Sequence, residues 1–159
     1  MCIKVKGVHM RNTMRFIFLS NLFFDTYDRE HYPEIEHKPE RPYMQMYIDV
    51  DGIKFAIPFR SNIPHYNAFF TNRAERCGLD YSKAVVIKDN AYIDNNRTPH
   101  LRPEEFEALR GKEDQIKRQF RDYILLYKFS KNNMHRTRDR LIVRFSTLQY
   151  FEEEIENIN

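Results

Sequence analysis

Residues 43–60 constrain this chain more than any other stretch. Two runs, YMQMYIDV and IKFAIPF, flank Asp51-Gly52, a dipeptide that accepts the positive φ values a two-residue hairpin turn demands. Such a short loop sets the pairing of the two runs. Val50 then faces Ile53, Ile48 faces Phe55, Met46 faces Ile57 and Met44 faces Phe59, and every one of these residues is apolar. One face of the hairpin must therefore be core. The other face pairs Asp49 with Lys54, Tyr47 with Ala56, Gln45 with Pro58 and Tyr43 with Arg60. A slip by one residue would bury this polar set, so the register is strongly specified. Pro58 has no N–H for a ladder, which assigns it to an edge or a bulge.

The remaining segments read around that hairpin. Residues 15–19 form a strand, and Ser20 caps a short helix reaching about Tyr27. Residues 28–42 carry Pro33, Pro39 and Pro42 among charges and read as a loop. Residues 61–80 read as irregular. Residues 84–87 make a short strand, and Asp89-Asn90 turns toward 91–93. Pro103 suits the first turn of a helix, along which Phe106, Leu109, Ile116, Phe120, Tyr123 and Tyr127 keep helical spacing. Gly111 divides that helix in two. LIVRF, 141–145, reads as a strand. Ser146 and Gln149 match a capping box ahead of a last helix striped by Leu148, Phe151, Ile155 and Ile158. The sum is an α+β fold: one domain, a mainly antiparallel twisted sheet packed with several helices. Residues 1–14 are either a flexible basic arm or precede the true start, Met14; the domain runs over 15–159.

No apolar run is long enough to cross a bilayer, and the N-terminus has no signal-peptide core. Cys2 and Cys77 make no disulfide framework. The expected location is the cytoplasm, with no membrane partner. The net charge is +3, but it is unevenly spread. Glu152, Glu153, Glu154 and Glu156 crowd the tail, while residues 128–144 hold Lys128, Lys131, Arg136, Arg138, Arg140 and Arg144 against the single acid Asp139. A block of this kind either contacts nucleic acid or is a solvated basic loop.

Chemistry has few places to reside. There is no glycine-rich phosphate loop, HExxH, CxxC or EF-hand pattern, and the six histidines lack metal-ligand spacing. No metal and no cofactor are expected. The stretch FAIPFRSNIPH begins as a buried strand and ends in Arg60, Ser61, Asn62 and His65. Metal-free RNA cleavage could use such a set. The 2′-hydroxyl attacks its own phosphorus, a guanidinium and a hydroxyl steady the phosphoryl oxygens, and a histidine moves a proton. Tyr43 and Tyr47, on the hairpin's polar face, could stack bases. The same residue types also suit an ordinary turn with a surface Arg and His.

Four segments in order, FAIPFRSNIPH (55–65), GLDYSKAVVIKD (78–89), a helix with Phe106 and Phe120, and RFSTLQYF (144–151), resemble the toxins of type III toxin–antitoxin systems. The likeness is to the TenpN branch, related to ToxN, CptN and AbiQ, over about residues 15–155. It implies a Kid/MazF-like sheet core and a metal-independent endoribonuclease leaving a 2′,3′-cyclic phosphate. It implies cellular or phage RNA as substrate, and a role in phage defence or growth arrest. The implied partner is a repeated antitoxin RNA, a pseudoknot that the toxin cuts from its precursor and that joins several toxin copies in a closed complex. The segment resembling L-T-S-P-K in ToxN-like members is here Phe59-Arg60-Ser61-Asn62-Ile63. The serine carries over to Ser61. Arg60 stands at the threonine and Ile63 at the lysine, which leaves the cation to Arg60 or proton transfer to His65. Asn62 and Lys83 join Tyr43, Tyr47, Lys128, Lys131, Arg136, Arg138 and Arg140 as expected RNA contacts. The competing classes are a non-catalytic RNA-binding module, which needs no Ser61, and a protein-interaction domain.

Overall fold

The computed structural model describes residues 14–38 and 43–159. The basic arm and part of the proline-bearing loop lie outside the described residues. The chain forms one α+β domain with a six-stranded antiparallel sheet and five α-helices among those residues. The strands are β1 Arg15–Ile17, β2 Gln45–Val50, β3 Ile53–Arg60, β4 Ala68–Asn72, β5 Cys77–Asp80 and β6 Val85–Val86. They run in the order β1-β2-β3-β5-β4, with β6 also beside β3.

The hairpin has the register its sequence demands, from Val50 opposite Ile53 to Gln45 opposite Pro58. Asp51 and Gly52 take φ values of 53° and 84°, as a type I′ turn requires. Pro58 lies in the central strand, neither at an edge nor at a bulge. The Phe59 N–H donates to the Met44 carbonyl at 2.9 Å, so the neighbouring position 58 points away from β2. On that side β6 pairs only with Phe55 and Ala56, and β5 only with Phe59 and Arg60. The missing donor falls where one partner has ended and the next is just beginning.

Helices α1 Asn21–Thr26, α2 Pro103–Leu109, α3 Glu113–Lys131, α4 Thr137–Phe145 and α5 Glu152–Ile155 cover the sheet. Ser20 caps α1 by accepting from the Phe23 N–H. Pro103 opens α2, and Gly111 separates it from α3. The long helix buries Ile116, Phe120, Tyr123, Ile124 and Tyr127 along one stripe. Phe120 meets Phe55 edge-on, centroids 4.9 Å apart. This seats the helix on the hairpin's apolar face. Burial of each such ring is worth about 1.5–3 kcal/mol. Phe106, though in phase with the stripe, remains exposed.

Three further expectations are corrected. LIVRF is helical, the C-terminal part of α4. Its buried positions are Asp139 and Val143, four apart, and Asp139 accepts from the Ser130 hydroxyl of α3 at 2.8 Å. A short apolar run fits either period, and α3 supplies the helical partner. Residues 61–80 are not irregular: they hold the β4–β5 hairpin. Its turn carries no Asn-Gly or Asp-Gly signal, and Arg76 takes the positive φ, 51°. The expected last helix is a 3₁₀ turn, Thr147–Tyr150, followed by the short α5. Gln149 bonds back to the carbonyls of Arg144 and Ser146, closing α4 instead of completing a capping box. The stripe of Leu148, Phe151, Ile155 and Ile158 is buried as expected.

Gly78 marks a close backbone approach in the sheet. A Cβ there would lie 2.0 Å from the Phe69 carbonyl oxygen and 2.8 Å from the Phe70 Cα. Both are backbone atoms and cannot swing aside. Gly78→Ala should push β4 off β5 and cost at least about 3 kcal/mol, lowering the melting temperature by roughly 6–12 °C. A thermal melt followed by circular dichroism measures this. A melt within 2 °C or so of wild type would mean that the β4–β5 pairing is looser than described.

Candidate functional site

The end of β3 and the end of β5 meet because Arg60 pairs with Gly78 in the ladder. That brings Arg60 beside Asp80, whose side chain is fully buried. A buried carboxylate is tolerated only when it is paired and hydrogen-bonded. Asp80 meets both conditions. Its Oδ2 accepts from Arg60 at 2.5 Å. Its Oδ1 accepts from the Ser82 hydroxyl at 2.6 Å and the Ser82 N–H at 2.9 Å, with His65 Nε2 at 3.3 Å. Burial pushes the Asp80 carboxyl up, but His65, Ser82 and Arg60 outweigh it and hold the group below 3.8.

These bonds also assign the His65 tautomer. Nδ1 accepts from the Asn67 N–H at 3.1 Å. The Ser82 hydroxyl gives its proton to Asp80, so it accepts from His65 Nε2 at 3.0 Å. The neutral ring therefore carries its hydrogen on Nε2. Both nitrogens are engaged within the protein. Arg60 is committed as well. It is 20% exposed, and its second amino group lies 2.5 Å from Glu36. Arg60 and His65, two of the three expected catalytic residues, thus converge on one buried carboxylate.

Ser61 and Asn62 are different. They are the exposed tip of the turn leaving β3, and Asn62 takes a φ of 54°. The turn is held from both ends. Arg60 anchors one. At the other, Ile63 is fully buried, and its N–H donates to the Arg76 carbonyl at 3.1 Å. The Arg76 guanidinium donates to the carbonyls of Ile63 at 2.5 Å and His65 at 2.7 Å.

Tyr66, later in the same loop, lines a groove of about 420 Å³ together with Phe70, Arg73, Tyr81, Gln119 and Asp122 among others. Arg76 is sandwiched, its guanidinium 5.0 Å from the Tyr66 ring and 5.1 Å from Phe70. Arg73 also sits over Phe70. Tyr66 is 82% exposed. An exposed tyrosine among arginines is the composition of a base-stacking surface. Sequence reading missed this group because its members become neighbours only through the β4–β5 hairpin. The spacing of Asp80 and Ser82 just after a strand was the one local signal for the buried cluster.

The other predicted contacts are dispersed. Tyr43 accepts from Lys38 at 2.7 Å, and Tyr47 lies under Arg15. Lys83 binds Glu34 at 2.8 Å and the Phe145 carbonyl at 2.9 Å. The basic block divides. Lys128 donates to the carbonyls of Glu156 and Ile158, and Lys131 pairs with Glu152, so both serve the acidic tail. Arg136, Arg138 and Arg140 surround the start of α4 and are exposed. Arg136 lies over Phe129, and Arg140 binds nearby carbonyls. Asp28, Glu30 and His31 bring three potential ligand atoms within 4.8 Å, a grouping not foreseen from spacing. It is exposed, and His31 Nδ1 is already 2.9 Å from Asp28. No helix among the described residues is long and apolar enough to cross a membrane.

The chain matches no family model, no curated protein and no solved structure.

The buried cluster makes a prediction of its own. Asp80→Asn leaves the half-buried Arg60 with Glu36 alone and should cost about 3 kcal/mol. The folded-state pKa of Asp80 is lowered, so its contribution is complete above 3.8 and fades as pH falls through the lower folded value. Urea unfolding of both proteins should therefore differ most at neutral pH and converge below about pH 3.8. A difference that stays constant down to pH 3 or so would place the stabilising charge elsewhere.

Proposed function

We propose that this chain is an RNA-cleaving toxin of the type III kind, a metal-independent endoribonuclease acting at the tip formed by Ser61 and Asn62. One observation carries the reading. An exposed hydroxyl and an exposed amide sit on a turn held at both ends, and Arg76, which holds one end, also packs against Tyr66 and Phe70 of the groove. Preorganised donors of this sort stabilise developing charge without reorganising during reaction. In the proposed step the RNA 2′-oxygen gives its proton to water and bonds to the adjacent phosphorus. The bond from phosphorus to the 5′-oxygen breaks, and that oxygen takes up a proton from water. Ser61 Oγ and the Asn62 amide donate to the non-bridging oxygens. Arg60 and His65 act by positioning this tip through Asp80. The antiparallel sheet supports the finer expectation of a Kid/MazF-like core. A repeated antitoxin RNA as partner, assembly of several copies around it, action in the cytoplasm and a role in phage defence belong to the same proposal.

A second reading, a non-catalytic RNA-binding module, is favoured by one feature: neither nitrogen of His65 is free to move a proton. The two separate cleanly. Wild-type protein and Ser61→Ala are incubated with a cellular RNA in excess EDTA, and products are tested for 2′,3′-cyclic phosphate. Wild type should cut, and the variant should be slower by about 100-fold or more with an unchanged melting temperature. RNA bound but left intact by wild type would install the binding module. Equal cutting by both would remove Ser61 from the mechanism.

A further inference from the structure

The groove lined by Tyr66 has a chemistry of its own. One wall carries Tyr66 and Phe70, and the Arg76 guanidinium packs against both rings. Arg76 cannot swing away, because two backbone carbonyls hold its guanidinium. Tyr66 therefore has one side backed by a fixed cation and its remainder, 82% exposed, open to a ligand. Neither Arg73 nor Arg76 is paired with a carboxylate among the described residues.

The opposite wall is α3. Gln119 and Asp122 stand three residues apart on it, on one side of the helix, and both line the groove. The Tyr81 hydroxyl donates to Gln119 Oε1 at 2.8 Å. Burial pushes the Tyr81 phenol well above its ordinary range, so it remains a donor. The Gln119 amide oxygen is thereby occupied, and its two N–H groups remain to be used. Asp122 is exposed, and an ionised carboxylate only accepts. The groove thus offers a flat stacking face, an acceptor with two oxygens, and an amide donor one helical turn away.

Among the four RNA bases these features select one. Uracil presents its N3–H between two carbonyls, which repel a carboxylate. Adenine and cytosine each place a ring acceptor beside their amino group. Only guanine presents two adjacent donors, N1–H and N2–H₂, with the O6 acceptor beside them. Single-stranded RNA is read by stacking a splayed base and hydrogen-bonding its Watson–Crick edge. We propose that this groove takes one unpaired guanine of an RNA strand, stacked on Tyr66 and hydrogen-bonded through N1–H and N2–H₂ to Asp122. Gln119 donates to O6, and Arg73 offsets the charge of Asp122 toward the flanking phosphates. This rests on the RNA-directed reading of the Ser61–Asn62 tip and gives that site a base preference.

The test is fluorescence anisotropy with 5′-labelled RNA of nine nucleotides, uridine throughout except for a central G, A, C or U. The parent protein carries Ser61→Ala to prevent cutting. It should bind the G oligonucleotide about tenfold more tightly than the all-U one. Tyr66→Ala, at a surface position, should weaken all four by about tenfold. Asp122→Ala should remove the preference for G while leaving all-U binding as tight or tighter, since it deletes a negative charge. RNA binding by the parent that neither substitution alters, or a preference for another base, would overturn the guanine site and leave the RNA-directed reading standing. Failure of the parent to bind any oligonucleotide would also overturn it. Wild-type cleavage of long RNA then shows whether the wider reading falls with it.

Discussion

The fold turns on the buried carboxylate of Asp80. Asp80 is sealed inside the protein, and each partner that makes this tolerable comes from a different piece of chain. Arg60 ends β3, His65 lies in the following loop, and Ser82 lies within the 3₁₀ turn Tyr81–Lys83 before β6. A hydrophobic contact in that place could be satisfied by many arrangements. A carboxylate that needs three particular donors is satisfied by very few. The cluster therefore sets how the loop leaves the sheet, and the exposed tip inherits its position from a group it never touches.

The sequence was most legible where period and turn chemistry agreed. The β2–β3 register, the cap at Ser20, the start of α2 and the buried stripe of α3 all follow from spacing within one segment. Legibility failed where the deciding partner was distant. AFFTN and CGLD pair as β4 and β5, yet neither alternates cleanly, and Gly78 matters only because Phe69 crosses it. LIVRF is a helix because α3 is next to it. At the site, Arg60, Ser61 and His65 were found as residue types with chemical capacity. Their division into an internal anchor and an external tip required Asp80 to be in place. Tyr66, Phe70, Arg73 and Arg76 look unremarkable in order along the chain and gain meaning only as a stack.

Charge tells a similar story. A basic block and the acidic tail that follows it in the chain are partly one structural unit. Lys128 caps the carbonyls of the closing turns, Lys131 pairs with Glu152, and Lys88 pairs with Glu154. The lysines are thus absorbed by the tail, while the arginines of α4 remain outside. Exposed pairs of this kind add little stability individually. Their effect is to fold the chain's end back across α3 and keep like charges apart.

Arg76 gives the molecule a mechanical property. Its guanidinium is clasped by the carbonyls of Ile63 and His65 on one edge and by the rings of Tyr66 and Phe70 on its faces. A lysine, with a single point of charge on a flexible stem, cannot bridge four groups in this way. The tip and the groove wall consequently share one rigid strut. Force applied to the Tyr66 ring is delivered to the backbone two residues from Ser61, and the two surfaces move as one body.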